Sequence, residues 1–188
     1  HYGEKYVVEE YDGYSLRFVL NPATETIEVS CETKPSSPTS VTIPSHVTID
    51  NVEYAVTDIQ NAAFQNCSNI TSVDIPNTVT TIGSSAFEGC SNLTSIDIPS
   101  SVTTICSSAF VYCSKLKSIR CYSESVPQTA NTAFDNVHAD MQIQVPEQSK
   151  GLYREASPWN KYTIIKIYPY HYGEKYVVEE YDGYSLRF

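Results

Sequence analysis

Two adjoining stretches of the chain are near copies: Thr71 to Leu93 reads TSVDIPNTVTTIGSSAFEGCSNL and Thr94 to Leu116 reads TSIDIPSSVTTICSSAFVYCSKL. The period is 23 residues and the register is strict: Val73 matches Ile96, Ile75 matches Ile98, Val79 matches Val102, and Phe87 matches Phe110. Cys90 matches Cys113 and Leu93 matches Leu116 in the same way. A unit this short holds about nine apolar positions and cannot enclose them by itself, so the units must stack and bury their apolar faces against each other. Each side chain then lies over its equivalent, about 5 Å away at ordinary strand spacing. The result is a set of apolar columns, with Phe64, Phe87 and Phe110 expected to line up in one of them.

The flanking units keep the pattern in part. Val56, Ile59, Phe64, Cys67 and Ile70 continue it upstream, while Val41 to Pro44 are displaced by a nine-residue insertion. That insertion reads as a small hairpin with Asp50-Asn51 at its turn. Downstream the unit beginning KSIRC decays, with Phe134 lying 24 residues after Phe110. Within a unit, alternation in Ser95-Ile96-Asp97-Ile98 points the two Ile inward and Ser95 and Asp97 outward. Pro99 ends the strand because it cannot donate to a ladder. Ser107 to Phe110 is too short for a helix and is expected to form a 3-10 or single helical turn.

The segments IPSSVTTI, SAF and CSKL, at residues 98–105, 108–110 and 113–116, resemble the BspA-like leucine-rich repeats, the 23-residue class of bacterial surface proteins and some parasite proteins. Val145-Pro146, Tyr153, Ala156, Trp159 and Thr163 to Ile165 resemble the segment that closes such domains. The resemblance covers about residues 41–167. It implies a right-handed leucine-rich-repeat solenoid, a superhelix with short strands on its concave side. It also implies roles such as adhesion to host proteins or other cells, and it supplies no catalytic residues.

A stack needs its terminal faces covered. Residues 1–40 are read as an N-terminal β cap: strands at Tyr6 to Tyr11 and Tyr14 to Leu20 flank the hairpin signal Asp12-Gly13, and Thr26 to Cys31 follow as a third strand. Lys34 to Ser40 read as a linker. Residues 41–120 are then the repeat region, and 121–170 a degenerate last repeat with a C-terminal cap. In that cap Glu147 to Ala156 form a short helix, with Leu152, Tyr153 and Ala156 facing the stack and Trp159 beside them. Residues 171–188 repeat residues 1–18 without a change. Either a 170-residue unit recurs in tandem, or the extension was engineered. A second copy of one hairpin also offers a route to self-association between chains.

Charge narrows the function. At a net charge of -10 and a pI near 4.7, the chain lacks the clustered Lys and Arg of a phosphate-binding surface, which argues against nucleic acid. No apolar run reaches the length of a membrane span, so no membrane insertion is expected in this segment. The chain starts at His1 without a signal-like stretch, so an export signal is expected outside it. The six cysteines do not read as a disulfide framework. Cys67, Cys90 and Cys113 share one column, where parallel side chains do not supply disulfide geometry, so buried reduced thiols are expected. A Cys106–Cys121 bridge is left open. No CxxC, GxSxG, HExxH or phosphate loop occurs, and no histidine sits in a ligand motif, so no catalytic residue, metal or cofactor is expected.

The outward strand positions are therefore the candidate binding face: Ser72 and Asp74, Ser95 and Asp97, Ser118 and Arg120, with Thr81 and Thr104 expected to extend the same polar strip. Asp74 and Asp97 side by side would repel, and Arg120 would relieve part of that. The expected function is a non-catalytic, secreted or cell-surface adhesion module that binds a host or cell-surface protein or glycan. The alternative is a structural spacer of a tandem array, joined through the duplicated hairpin.

Overall fold

A computed structural model of the chain describes residues 4–167. The second hairpin copy, residues 171–188, lies outside the described residues. The chain opens with three antiparallel strands, β1 (Tyr6–Tyr11), β2 (Tyr14–Asn21) and β3 (Thr26–Thr33). The first turn is Asp12-Gly13, where Gly13 has a φ of 85° that a side chain would resist. Tyr11 and Tyr14 stack across it with ring centroids 4.9 Å apart.

β3 runs parallel to β6 (Val52–Ile59), so the N-terminal strands join the sheet of the repeats. Between β3 and β6 lie β4 (Thr39–Thr42) and β5 (His46–Ile49). The expected linker is thus shorter than Lys34 to Ser40, because Thr39 and Ser40 already belong to a strand. β5 and β6 form the antiparallel hairpin of the insertion, and both turn residues, Asp50 and Asn51, have left-handed backbone angles. Two left-handed residues in a row define the hairpin turn whose twist matches its strands.

From β6 onward each 23-residue unit supplies two short strands. The first set is β8 (Thr81–Ile82), β10 (Thr104–Ile105) and β12 (Gln128–Thr129), which extend the β1-β2-β3-β6 sheet in parallel. The second set is β7 (Ile70–Asp74), β9 (Ser95–Ile98), β11 (Ser118–Cys121), β13 (Gln142–Val145) and β14 (Thr163–Lys166). β9, β11, β13 and β14 form a four-stranded parallel sheet, while β7 pairs with β4 and lies next to β9. The pairings are in register at the repeat period, as in Ser95↔Ser118 and Thr81↔Thr104.

The columns form as the period requires. Phe64 and Phe87 stack at 5.2 Å with ring planes 2° apart, Phe87 and Phe110 at 5.4 Å and 9°, and Phe110 and Phe134 at 5.8 Å and 27°. All four are fully buried or nearly so, as are the Ile and Val pairs matched above. The widening toward Phe134 follows the decay of the repeat. At the end of the column Trp159 meets Phe134 edge-on at 5.0 Å and Tyr153 edge-on at 5.1 Å.

The connections differ from the expected 3-10 turns. Around each Phe the chain makes successive i to i+3 hydrogen bonds, as from Ala86 N–H to Gly83 C=O and Glu88 N–H to Ser85 C=O. Left-handed residues interrupt each run at equivalent places: Ala62, Ser85 and Ser108, then Asn66, Gly89, Tyr112 and Asn136. A left-handed residue breaks a continuing helix, so these are linked turns. Among the described residues helical structure is confined to the C-terminal segment, with 3-10 turns at Glu147–Ser149 and Trp159–Lys161 and one short helix, α1 (Lys150–Glu155). Tyr153 and Trp159 bury completely there and Ala156 packs partly against the core, but Leu152 is 55% exposed, contrary to expectation. In a helix of six residues Tyr153 takes the inward direction, and its neighbour in sequence points elsewhere.

Candidate binding face

The second set of strands carries the outward row. Ile96 and Ile98, Ile119 and Cys121, and Ile143 and Val145 point into the core. The residues between them face out, so Ser95, Ser118 and Gln142 form one line, and Asp97, Arg120 and Gln144 the next. Ser72 and Asp74 lie beside Ser40 and Thr42 of β4 at the other end. Six of the eight residues expected on this face are therefore brought into one row.

Thr81 and Thr104 are not among them. They sit on the other sheet, in a line that runs Asp58, Thr81, Thr104, Gln128. The reason is the turn at Pro76, where Val79 N–H donates to Pro76 C=O at 3.1 Å and carries the chain to a different side of the coil. Polarity and proximity in sequence therefore gave the wrong side. Conversely, Ser40, Thr42, Gln142, Gln144 and Tyr122 belong to the row's surroundings and were missed. The QIQV segment at 142–145 carries the same alternation as SIRC at 118–121, so that signal was present in the sequence.

The centre of the row is a hydrogen-bonded cluster. Arg120 Nε donates to Asp97 Oδ1 at 2.8 Å, and Tyr122 Oη donates to Asp97 Oδ2 at 3.3 Å. Both carboxylate oxygens are thus engaged. The pair is partly open, with side-chain exposures of 32% for Arg120 and 43% for Asp97. Tyr122 is 40% exposed, and its hydroxyl ionises less readily than an ordinary tyrosine. Partial burial is the main cause and the Asp97 carboxylate adds to it, while Arg120 opposes. Gln144 Nε2 donates to Ser118 Oγ at 3.3 Å, and Ser72 Oγ donates to Ser40 Oγ at 2.8 Å. The groups on offer are hydroxyls, amides, one guanidinium, one phenol ring and the carboxylates of Asp74 and Asp97, of which Asp97 is paired with Arg120. Lys115, nearby in sequence, reaches Asn92 Oδ1 at 2.7 Å.

Cys90 and Cys113 sit beside the Phe column. All six cysteines are free thiols. Cys90 Sγ donates to Phe64 C=O at 3.2 Å and Cys113 Sγ to Phe87 C=O at 3.1 Å. Burial raises both thiols, Cys113 to about 12. Cys121 lies 3.2 Å from Tyr153 Oη in the core rather than in a bridge to Cys106. Among the described residues no group of three or more His, Cys, Asp or Glu is placed to hold a metal ion, and no helix is long and apolar enough to cross a membrane.

This repeating geometry has a known counterpart. The BspA type leucine-rich repeat region matches in six copies over residues 25–157. The chain belongs to the BspA-type leucine-rich-repeat family. The match begins at residue 25, immediately before β3, in keeping with the pairing of that strand with β6. Solved leucine-rich-repeat proteins share the strand-rich fold. A leucine-rich repeat protein from Bacteroides capillosus is 27% identical, with 73% of this chain and 97% of that one covered and a TM-score of 0.60. A leucine rich cell surface protein from Faecalibacterium prausnitzii is 31% identical over 76% of this chain and 37% of that one, with a TM-score of 0.52. A leucine-rich repeat protein from Bacteroides ovatus is 31% identical over 87% of this chain and 36% of that one, with a TM-score of 0.51. The chain thus spans nearly all of the first relative but little more than a third of the other two. No curated protein matches it in sequence.

Proposed function

We propose that this BspA-type chain is a non-catalytic recognition module of a bacterial cell surface. In this reading its coils form a right-handed solenoid, the row from Ser72 to Gln144 lines its concave side, and a host or cell-surface protein or glycan adheres there. The observation that carries the reading is the outward row itself. Ser95, Asp97, Ser118, Arg120, Gln142 and Gln144 are held in register by a parallel sheet. Long, rigid repeat surfaces bind through such rows because little order has to be created on contact. The family's surface membership and the Faecalibacterium cell surface relative support the location.

The test is a binding screen against host matrix proteins and glycans, repeated with Asp74, Asp97 and Arg120 changed to Ala. Loss of a captured ligand with an unchanged melting temperature supports the row as the site. Equal capture by the triple variant moves the site elsewhere.

A spacer role in a tandem array has its own supporting observation. Residues 171–188 are identical to the segment that contains β1 and most of β2. A chain truncated after Tyr170 tests it by light scattering. Unchanged oligomeric state removes the argument for assembly through that copy.

A further inference from the structure

The prolines that end the outward strands are interrupted once. Pro76 and Pro99 stand at the repeat period, Pro146 closes the later QIQV strand, and Tyr122 occupies the same place in the coil between them. Proline has no N–H to give, whereas Tyr122 N–H donates to Ile98 C=O at 3.0 Å and adds a rung to the ladder. Its side chain reaches back to the preceding coil, where Oη donates to Asp97 Oδ2 at 3.3 Å. The ring is thus held at both ends, by its main chain and by its hydroxyl. It remains 40% exposed all the same. Among the described residues the other exposed large apolar side chains lie elsewhere: Tyr6 on β1, Val52 on β6, Tyr112 in a turn and Leu152 on α1. Tyr122 is the one that stands on the row.

We propose that Tyr122 and the side chains around it form a subsite for one neutral pyranose unit of a glycan, with a C–H face of the sugar against the phenol ring and its hydroxyls on Arg120, Asp97 and Gln144. The proposal rests on the reading of the row as a binding face, and it names the class of ligand and the residue that grips it.

The groups present select this ligand. A pyranose has an apolar face of C–H bonds and an edge of hydroxyls, each of which both donates and accepts. An exposed aromatic ring suits the face, and planar side chains with paired donors or acceptors suit the edge. Arg120 spends its Nε on Asp97, and among the described residues its two Nη groups have no other partner. Gln144 gives Nε2 to Ser118 Oγ at 3.3 Å and keeps Oε1 as an acceptor. Parallel pairing sets Asp97, Arg120 and Gln144 side by side at about 4.8 Å, comparable to the length of one sugar unit, so neighbouring hydroxyls can meet neighbouring side chains. The phenol and the guanidinium are already tied to Asp97, so little side-chain freedom is lost when a sugar arrives. Charge decides against an acidic sugar: the chain carries a net charge of -10, and the row itself sets the carboxylates of Asp74 and Asp97 against one guanidinium. Polarity decides against a protein. A protein interface is anchored by several large side chains buried together at its centre, and the row offers one ring in a line of hydroxyls, amides and charges.

The experiment presents the full chain with an array of immobilised neutral oligosaccharides built from glucose, galactose, mannose and N-acetylhexosamines. Sialylated and sulfated counterparts and host matrix proteins stand on the same array. The wild-type chain should capture a neutral glycan, and saturation-transfer NMR should place the sugar's C–H protons against an aromatic ring. Tyr122→Phe keeps the ring and should hold the Kd within about threefold, whereas Tyr122→Ala should weaken binding by about tenfold or more. Tyr122→Pro restores the residue that the other coils carry, so it should keep the wild-type melting temperature and lose binding as Tyr122→Ala does. No captured neutral glycan, equal capture by Tyr122→Pro, or a preference for sialylated or sulfated forms would each overturn the subsite. Capture of a matrix protein alone, lost when Asp74, Asp97 and Arg120 are changed to Ala, would overturn the subsite and leave the row standing as a binding face. Capture of nothing on the array would count against both.

Discussion

Removal of one ring from the middle of the aromatic column is the sharpest probe of what holds this chain together. Phe87 is fully buried and is clasped by Phe64 at 5.2 Å and Phe110 at 5.4 Å. In Phe87→Ala the lost transfer energy and the cavity together should cost about 3–5 kcal/mol. Phe87→Leu keeps much of the volume but loses two ring contacts of roughly 0.5–1.5 kcal/mol each, and should cost about half as much. Natural domains have only about 5–15 kcal/mol to lose, so the first variant should be near the limit of folding. The assay is equilibrium unfolding in urea, followed by far-ultraviolet circular dichroism and by tryptophan fluorescence. The chain has a single tryptophan, and the buried Trp159 is connected to Phe87 through Phe110 and then Phe134. Its emission therefore reports on the far end of the stack. Because each coil is held mainly by its neighbours, the damage should spread, and both signals should shift to the same lower midpoint. A loss under about 1 kcal/mol for Phe87→Ala, or a Trp159 transition that stays at the wild-type midpoint, would refute the claim that the column is one cooperative core.

Three further outcomes follow from the same geometry. Gly83→Ala should destabilise by about 1–3 kcal/mol in thermal or urea unfolding, because a Cβ there would lie 2.7 Å from the backbone of Ile59, Gln60 and Asn61 in the coil before it. Alkaline pH should weaken the fold through the buried column thiols: their folded pKa values are raised above the ordinary 9.0, Cys113 to about 12. Stability is then fully present below pH 9 and falls as pH rises toward 12, at up to about 1.4 kcal/mol per pH unit per thiol, and Cys113→Ala should show a shallower fall over that window. Arg120→Ala should change stability by less than about 1 kcal/mol, since the Asp97 pair is partly exposed, so any large loss of ligand binding in that variant is a loss at the site.

The columns were legible in the sequence because each coil faces a near copy of itself. A residue's neighbour across the stack is its own equivalent 23 positions away, so the period alone placed Phe64, Phe87 and Phe110 together. Strict alternation likewise decided which residues of Ser95 to Ile98 face out, and the turn residues of both hairpins announced themselves through their tolerance of left-handed geometry. Contacts off that period were not legible. The direction of each corner depends on left-handed angles at Ala62, Ser85 and Ser108, which are residues with no strong preference for them. Thr81 and Thr104 fell on the other sheet beyond the turn at Pro76, and Leu152 turned outward. Local pattern specifies how like stacks on like, whereas the meeting of unlike segments is settled only when the whole core closes around them.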